Sequence, residues 1–405
     1  MLGVAIRIAQ RMGIHNERSL AKCTPLEAEM RRRLWWSLVL FDTRIGELAN
    51  SKTTMLTPEW DCRVPLNVND ADLRLEMKEP PQVLGVSAEA LFTVLRSELG
   101  EFIRHTVFHL GFTCPGLKPL ARHGADLEGI GLDNLEKMIE GKYLKFCDPE
   151  NPLQFMTIWT TRGHIAKCRF IEHCFRYPNP SAYQTVAQHD AVFSYAITML
   201  ECDTKLMTTP LIKGFRWLTC FYFPFPAYIR IAQLIQRRPI SDQVDQAWEV
   251  MSNNFEARFY LPPVNKGPFF NIFSKIILQA WASHETAFKQ TGEPLVTPRI
   301  VQYIRQHLAQ RAPSVQRPEF PQPDSDTTMV PGDFPMPAPT GLDPTTLSNN
   351  MEGQVSVAGM GWAEYPGIPG FILPGVDTNQ IDWFAMNWDL ANVSPDQLPG
   401  LPQFQ

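Results

Sequence analysis

The sequence predicts an all-α fold, an irregular multi-helix array followed by a disordered acidic tail, and three observations carry that expectation. Apolar residues recur at helical spacing through residues 1–312, no segment alternates with strand period, and the composition changes past Pro313. Residues 1–312 hold 36 basic and 31 acidic residues; residues 313–405 hold one basic residue, Arg317, against eleven acidic ones, a net of −10. Fifteen prolines also fall in that tail. Such a stretch cannot bury enough apolar surface to offset its chain entropy.

Bulk properties exclude several classes. Over 405 residues the net charge is −5, so there is no basic excess of the kind a nucleic-acid binder shows. The most apolar run, Trp217 to Ile229, is 13 residues broken by Pro224 and Pro226, too short to span a bilayer. Met1 opens directly into a helical pattern containing Arg7 and Arg11, so no signal peptide is expected. Eight cysteines are scattered without a Cys-x-x-Cys pair, and reduced thiols in a nuclear or cytosolic compartment follow.

Taken in order, residues 1–13 form a helical pattern with apolar residues on most sides. A first helix with nothing upstream to pack on suggests a chain that begins inside a domain, as a truncated gene model or fragment would. The second helix organises the rest. Thr24 is placed to cap, Pro25 suits the first helical position, and Glu27 completes a Thr-x-x-Glu capping box. Leu34, Leu38, Phe41 and Ile45 share one face, with Trp35, Val39, Trp36 and Leu40 beside it, so this helix should be buried. Arg31, Arg32 and Arg33 stand in its second turn against the positive end of the dipole and need partners. Glu27 and Glu29 precede Arg31 and Arg33 by four, the favourable order. Asp42, in an otherwise apolar pattern, should be buried against a donor, expected to be an arginine of another helix.

Residues 47–86 read as loop. Helical periodicity returns at 87–112, with Ser87 as cap, and more weakly at 132–146. Asn151-Pro152-x-Gln154 opens a helix to about Tyr177, and Ser181-x-x-Gln184 another to about Leu206. Segments at 215–237, 241–260, 268–288 and 298–311 complete the set.

The run Glu29-Met30-Arg31-Arg32-Arg33-Leu34-Trp35-Trp36-Ser37-Leu38, followed by Phe41-Asp42, resembles the signature of the middle regulatory domain of fungal zinc-cluster transcription factors. Two flanks agree. Leu2 to His15 resembles the preceding helix with its Gly-Leu-His-like end, here Gly13-Ile14-His15. Val64 to Leu73 resembles the family's loop, through Pro65, Asn67, Asp70 and Asp72. The likeness covers about the first 75 residues. Where many members carry a Gly-Arg-Pro turn, this chain has Asn50-Ser51-Lys52, and a locally different loop is expected. The resemblance implies a nuclear, non-enzymatic regulator of RNA polymerase II transcription. In the family, DNA is contacted by an upstream two-zinc, six-cysteine module. No such spacing occurs here, so no zinc or other cofactor is expected in this chain, and DNA would be reached only through that absent cluster.

Within the tail, residues 377–393 interleave acids with large apolar groups. Ile381, Phe384, Ala385 and Trp388 share one helical face, with Trp383 and Leu390 adjoining. The segment resembles an acidic-aromatic activation segment that folds into a coactivator groove, which makes the transcription machinery its expected partner. Docking of this segment back onto the body is the competing reading. A homodimer or heterodimer is compatible with the family.

Other constellations are weaker. His164, Cys168 and Glu172 lie at i, i+4, i+8 but lack a fourth ligand. His105 and His109 lack the glutamate of His-Glu-x-x-His, and no phosphate loop or nucleophile elbow appears. The cluster Phe215, Trp217, Phe221, Tyr222, Phe223, Phe225 and Tyr228 is either core or the lining of a small-molecule pocket. Two further readings stay open: a helical small-molecule binder or enzyme, and a cluster-less paralogue that acts by heterodimerisation.

Overall fold

The computed structural model describes residues 1–48, 60–83, 88–106, 131–177, 185–259, 268–289 and 294–311. Among these residues every regular element is helical and no strand occurs. The tail, including Ile381, Trp383, Phe384, Trp388 and Leu390, lies outside them, as do Asn50-Ser51-Lys52, Ser87, His109 and the Ser181–Gln184 pair.

The first helix, α1 (Leu2–Arg11), ends in a glycine stop. Gly13 adopts φ +68, donates to Gln10 O at 3.0 Å, and is followed by Ile14 N–H on Ala9 O at 3.1 Å. These are the paired bonds of a Schellman cap, and Ile14 is buried beneath it. Only one face of α1 is covered, by Ile6 and Ala9; Val4, Ile8 and Met12 are exposed. A short helix, α2 (Glu17–Leu20), capped by Asn16, was not foreshadowed by the apolar pattern.

The long helix α3 (Pro25–Leu48) starts as its sequence dictates: Glu27 N–H donates to Thr24 Oγ1 at 3.3 Å. The other half of the expected box is spent elsewhere, since the Glu27 carboxylate accepts from Arg31 at 2.6 Å. The buried line is Ala28, Trp35, Trp36, Val39 and Asp42, whereas Leu34 is 50 % exposed. The expected Leu34 face is therefore corrected. A helix apolar nearly all round offers several faces, and the bulk of two tryptophans decides which one turns inward.

Next come α4 (Leu91–Ile103), α5 (Leu132–Lys142), α6 (Pro152–Arg176) and α7 (Val186–Thr208). Asn151 caps α6 with Pro152 in the first turn, as expected. The cap of α7 is Thr185 with Gln188, four residues beyond the pair read from sequence. Then follow α8 (Arg216–Cys220), α9 (Phe225–Arg237), α10 (Asp242–Phe259), α11 (Pro268–Lys289) and α12 (Arg299–Arg311).

Packing proceeds from front to rear. Helices α1 and α2 lie on α3, α3 on α4, and α4 and α5 on α6; α7 pairs with α6 and carries α8, α9 and α10. Among the described residues four apolar cores result, the smallest of them Met156, Leu206 and Ile212. A front core holds Ile6, Ile14, Leu20, Trp35, Trp36 and Cys62. A middle core holds Leu95, Leu99, Leu135, Ile139 and Ile165. The largest, at the rear, centres on Tyr228, Met251, Phe255, Phe273 and Trp281.

Candidate functional site

Two places gather functional side chains: the signature unit around α3 and a cleft between α3–α4 and α6–α9.

In the signature unit each arginine of the run is paired, and Arg32 and Arg33 share Glu29. Arg31 pairs with Glu27 at 2.6 Å and Arg33 with Glu29 at 3.2 Å, the two partners read from spacing. Arg32 reaches outside the helix to Glu17 of α2, donating through Nε and Nη2 at 2.8 Å each. Arg33 also donates to Asp70 at 2.7 Å. The run is thus a set of ion pairs beside a buried tryptophan core rather than a free basic patch. Glu29 is fully buried and also accepts the Leu66 amide at 3.0 Å. Burial pushes its carboxyl above the ordinary range, against the pull of Arg33 and the Leu66 amide.

The three motifs converge here. Trp36 donates its indole N–H to Arg63 O at 2.8 Å. Trp60 sets its ring edge-on to Trp35 and Trp36, at 5.6 and 5.1 Å, and carries Arg104 of α4 at 3.6 Å over its face. His15 meets Trp35 at 5.6 Å. In the loop, Pro65 and Asn67 are buried, Asn69 N–H donates to Asp72 at 3.1 Å, and Asp70 N–H donates to Glu89 at 2.9 Å. Asp42 is 4 % exposed and is not without a partner. Cys62, among Glu17, Asp61, Glu29 and Arg32, is pushed up to about 12, chiefly by burial, which leaves it a poor nucleophile.

The cleft encloses about 110 Å³ and is lined by parts of six helices and the connector between α8 and α9. Phe92, Met156, Trp159, Leu218, Phe223 and Phe225 supply apolar walls, while Arg44, Arg96, Lys167 and His164 stand among them. A neighbouring hollow of about 50 Å³ shares Arg44, Arg96, His164, Lys167 and Tyr222. Of the aromatic cluster read from sequence, Tyr222, Phe223 and Phe225 line the cleft, Tyr228 is buried behind them, and Phe215 and Trp217 are exposed.

Two arginines hold the connector from opposite sides. Arg44 of α3 donates through Nε and Nη2 to Phe221 O, at 2.9 and 2.8 Å. Arg258 of α10 donates to Thr219 O at 3.2 Å and Tyr222 O at 3.1 Å, and is paired to Asp203. Asn254 joins Asp203 at 2.7 Å and accepts from Tyr228 at 2.8 Å. Burial works against the charge on Arg258, yet Asp203 holds its pKa above the ordinary value; burial raises Tyr228 well above its own.

Arg96 differs from the others. Its Nη2 donates to the Tyr222 hydroxyl at 2.7 Å, and its guanidinium stands 5.3 Å from the Phe92 ring centre and 5.7 Å from that of Tyr222. Among the described residues no carboxylate pairs with it. His164 sets its ring perpendicular to Tyr222 at 5.4 Å.

The His164, Cys168, Glu172 row is dispersed by this packing. Glu172 pairs with Arg176 at 2.6 Å, Cys168 is buried in the middle core, and His164 faces the cleft. Among the described residues no group of three His, Cys, Asp or Glu is arranged to hold a metal. His105 lies 3.3 Å from Glu101. Sequence reasoning missed Arg44 and Arg96. The one available signal was a cation interrupting each apolar helical run.

The described residues thus form an all-helical body with a polar-stitched front unit and an internal cleft. Residues 1–84 match the family model described as the fungal specific transcription factor domain. The chain is 50 % identical over 317 residues to the transcriptional regulator AacuB of Aspergillus aculeatus, covering 78 % of this chain and 43 % of the relative. It is 40 % identical over 417 residues to the transcriptional regulator nsrM of Aspergillus novofumigatus, covering 97 % of this chain and 54 % of the relative. It is 28 % identical over 322 residues to the aurofusarin cluster transcription factor aurR2 of Gibberella zeae, covering 78 % and 48 %. The chain spans about half the length of these curated relatives. No solved structure matches it.

Proposed function

We propose that these 405 residues are the regulatory and activation part of a fungal regulator of RNA polymerase II transcription, working in the nucleus and without enzymatic activity. The observation that carries this is the front unit: the three motifs that resemble the family fold into one interlocked structure, over the span that matches the family model. Relatives covering most of the chain are named as transcriptional regulators. DNA contact belongs to a zinc-cluster module that these residues do not contain, since no two of the eight cysteines form a Cys-x-x-Cys pair. The tail recruits transcription machinery through Ile381, Trp383, Phe384, Trp388 and Leu390.

The test is a fusion of the full chain to an unrelated DNA-binding domain. Reporter expression is expected, and replacing Trp383, Phe384 and Trp388 together by alanine should abolish it. A silent intact fusion overturns the activation reading. Specific nanomolar binding to DNA by the unfused chain, in a mobility-shift assay at modest salt, overturns the assignment of DNA contact elsewhere.

A further inference from the structure

The cleft carries an inference about what this domain senses. We propose that it is a binding site for a small planar aromatic anion, a carboxylate or phenolate on a ring system, whose charged end meets Arg96 and whose ring lies between the aromatic walls. This rests on the regulatory reading and deepens it by naming the chemical class of the effector.

Charge comes first. The lining holds three obligate cations, Arg44, Arg96 and Lys167, and one acid, Asp203, which is committed to Arg258 and Asn254. Arg44 and Lys167 have partners within the protein, so Arg96 is the cation that a ligand would meet.

Arg96 is the deciding group. It is half-buried, it donates to the Tyr222 hydroxyl, and among the described residues no carboxylate pairs with it. A partly desolvated guanidinium gains most from a bidentate carboxylate, which its planar fork matches. The phenol hydroxyl of Tyr222, already an acceptor from Arg96, is free to donate its own proton to the same anion.

Shape comes second. The walls next to Arg96 are rings: Phe92 and Tyr222 flank it, and Trp159, Phe223 and Phe225 line the remainder. Flat aromatic surfaces favour offset or edge contact with another ring over a flexible chain. A cavity of about 110 Å³ is several times the ~10–15 Å³ that one water requires, so the space suits a small ring system.

The position makes occupancy readable. Tyr222 follows Phe221, whose carbonyl is clamped by Arg44 of the signature helix, so an anion that draws Arg96 or Tyr222 toward it pulls on the residue α3 holds.

The test is isothermal titration calorimetry of the full chain with 2-naphthoate and with its neutral analogue 2-naphthamide. Naphthoate should bind one to one, with the amide about tenfold weaker, the worth of one charge-assisted pair. Arg96→Gln should bring naphthoate down to the amide's affinity and leave the amide unchanged. Thr160→Phe, which fills the cleft from α6 and leaves Arg96 in place, should abolish both. If Arg96→Gln fails to fold, the anion-to-amide ratio and the Thr160→Phe result decide alone. No binding of naphthoate at millimolar concentration, equal binding of the two probes, or binding indifferent to Thr160→Phe overturns the proposal. The reporter fusion fails or succeeds separately, so a silent fusion with intact naphthoate binding would remove the transcriptional reading and keep the site.

Discussion

The front and the rear of this molecule are held together by different physics. At the front, α2, α3, residues 60–73 and the end of α4 are tied together by side chains that need one particular partner: Arg32 with Glu17, Trp36 with Arg63 O, Arg104 over Trp60. At the rear, α7 and α9–α12 enclose a broad apolar core whose members are interchangeable hydrophobes of suitable volume. A buried polar knot, Asp203 with Arg258, Asn254 and Tyr228, sits where that core meets the cleft. Specific polar pairing writes a readable signature; hydrophobic packing does not.

The largest effect should come from that knot. Arg258→Met leaves Asp203 buried and unpaired, a loss of about 3–5 kcal/mol. It also releases the carbonyls of Thr219 and Tyr222, so the cleft should open with it. Urea unfolding of the variant tests the first part. Hydrogen exchange across residues 219–225 tests the second. A loss below about 1 kcal/mol would show that the rear does not depend on this buried ion pair.

A second rear effect depends on pH. His173 is buried, and its pKa is lowered to about 4, by burial first and then by Arg230 and His189. Its folded value lies below the ordinary one, so the unfolded chain takes up the proton first. The stability from keeping it neutral is fully present above about pH 6.5 and is lost as pH falls toward 4. The effect is about 2–3 kcal/mol. His173→Leu should flatten urea midpoints between those pH values relative to the parent, whereas an unchanged slope would assign the acid sensitivity to other groups.

Legibility followed another division, between contacts within one helix and contacts between distant elements. The ion pairs Glu27–Arg31 and Glu29–Arg33 were readable because helix spacing fixes which side chains meet. Helix positions were readable because apolar period and caps are local, as at Asn151–Pro152. What spacing could not supply was anything set by the approach of distant elements. Glu17 as the partner of Arg32 depends on how the Gly13 turn swings α2 onto α3. Exposure of Leu34 and burial of Trp35 depend on which neighbours α3 meets. The cleft was glimpsed as an aromatic cluster, but Arg44 and Arg96 come to it from 120 or more residues away along the chain.

A smaller effect tests how tightly the front is fitted. Gly100 of α4 lies against α3, where an added Cβ would come within 3.0 Å of the Trp36 ring and 3.3 Å of Leu40. Trp36 is fully buried and pinned by its bond to Arg63 O, so it has little room to give. Gly100→Ala gains about 1 kcal/mol of helix propensity. Overpacking against a fixed ring costs about 1–3 kcal/mol. The net should be a modest destabilisation of about 1 kcal/mol, with faster hydrogen exchange confined to α3, α4 and residues 60–73.

The smallest effect belongs to the residue that reads most like a functional patch. Among the described residues Arg31 pairs with the exposed Glu27 alone, on its own helix, at 2.6 Å, whereas Arg32 reaches another element through a half-buried fork. An exposed i,i+4 pair is worth about 0.3–0.5 kcal/mol, while a two-bond pair with Glu17 shielded from solvent is worth more. Arg31→Ala should therefore shift the urea midpoint barely beyond error, and Arg32→Ala should shift it by about 1–2 kcal/mol. Reporter output from the fusion should follow the same order if the arginines act through folding. A large functional loss in Arg31→Ala without loss of stability would instead mark the run as a contact surface, and the front unit would then have to be read as an interface as well as a scaffold.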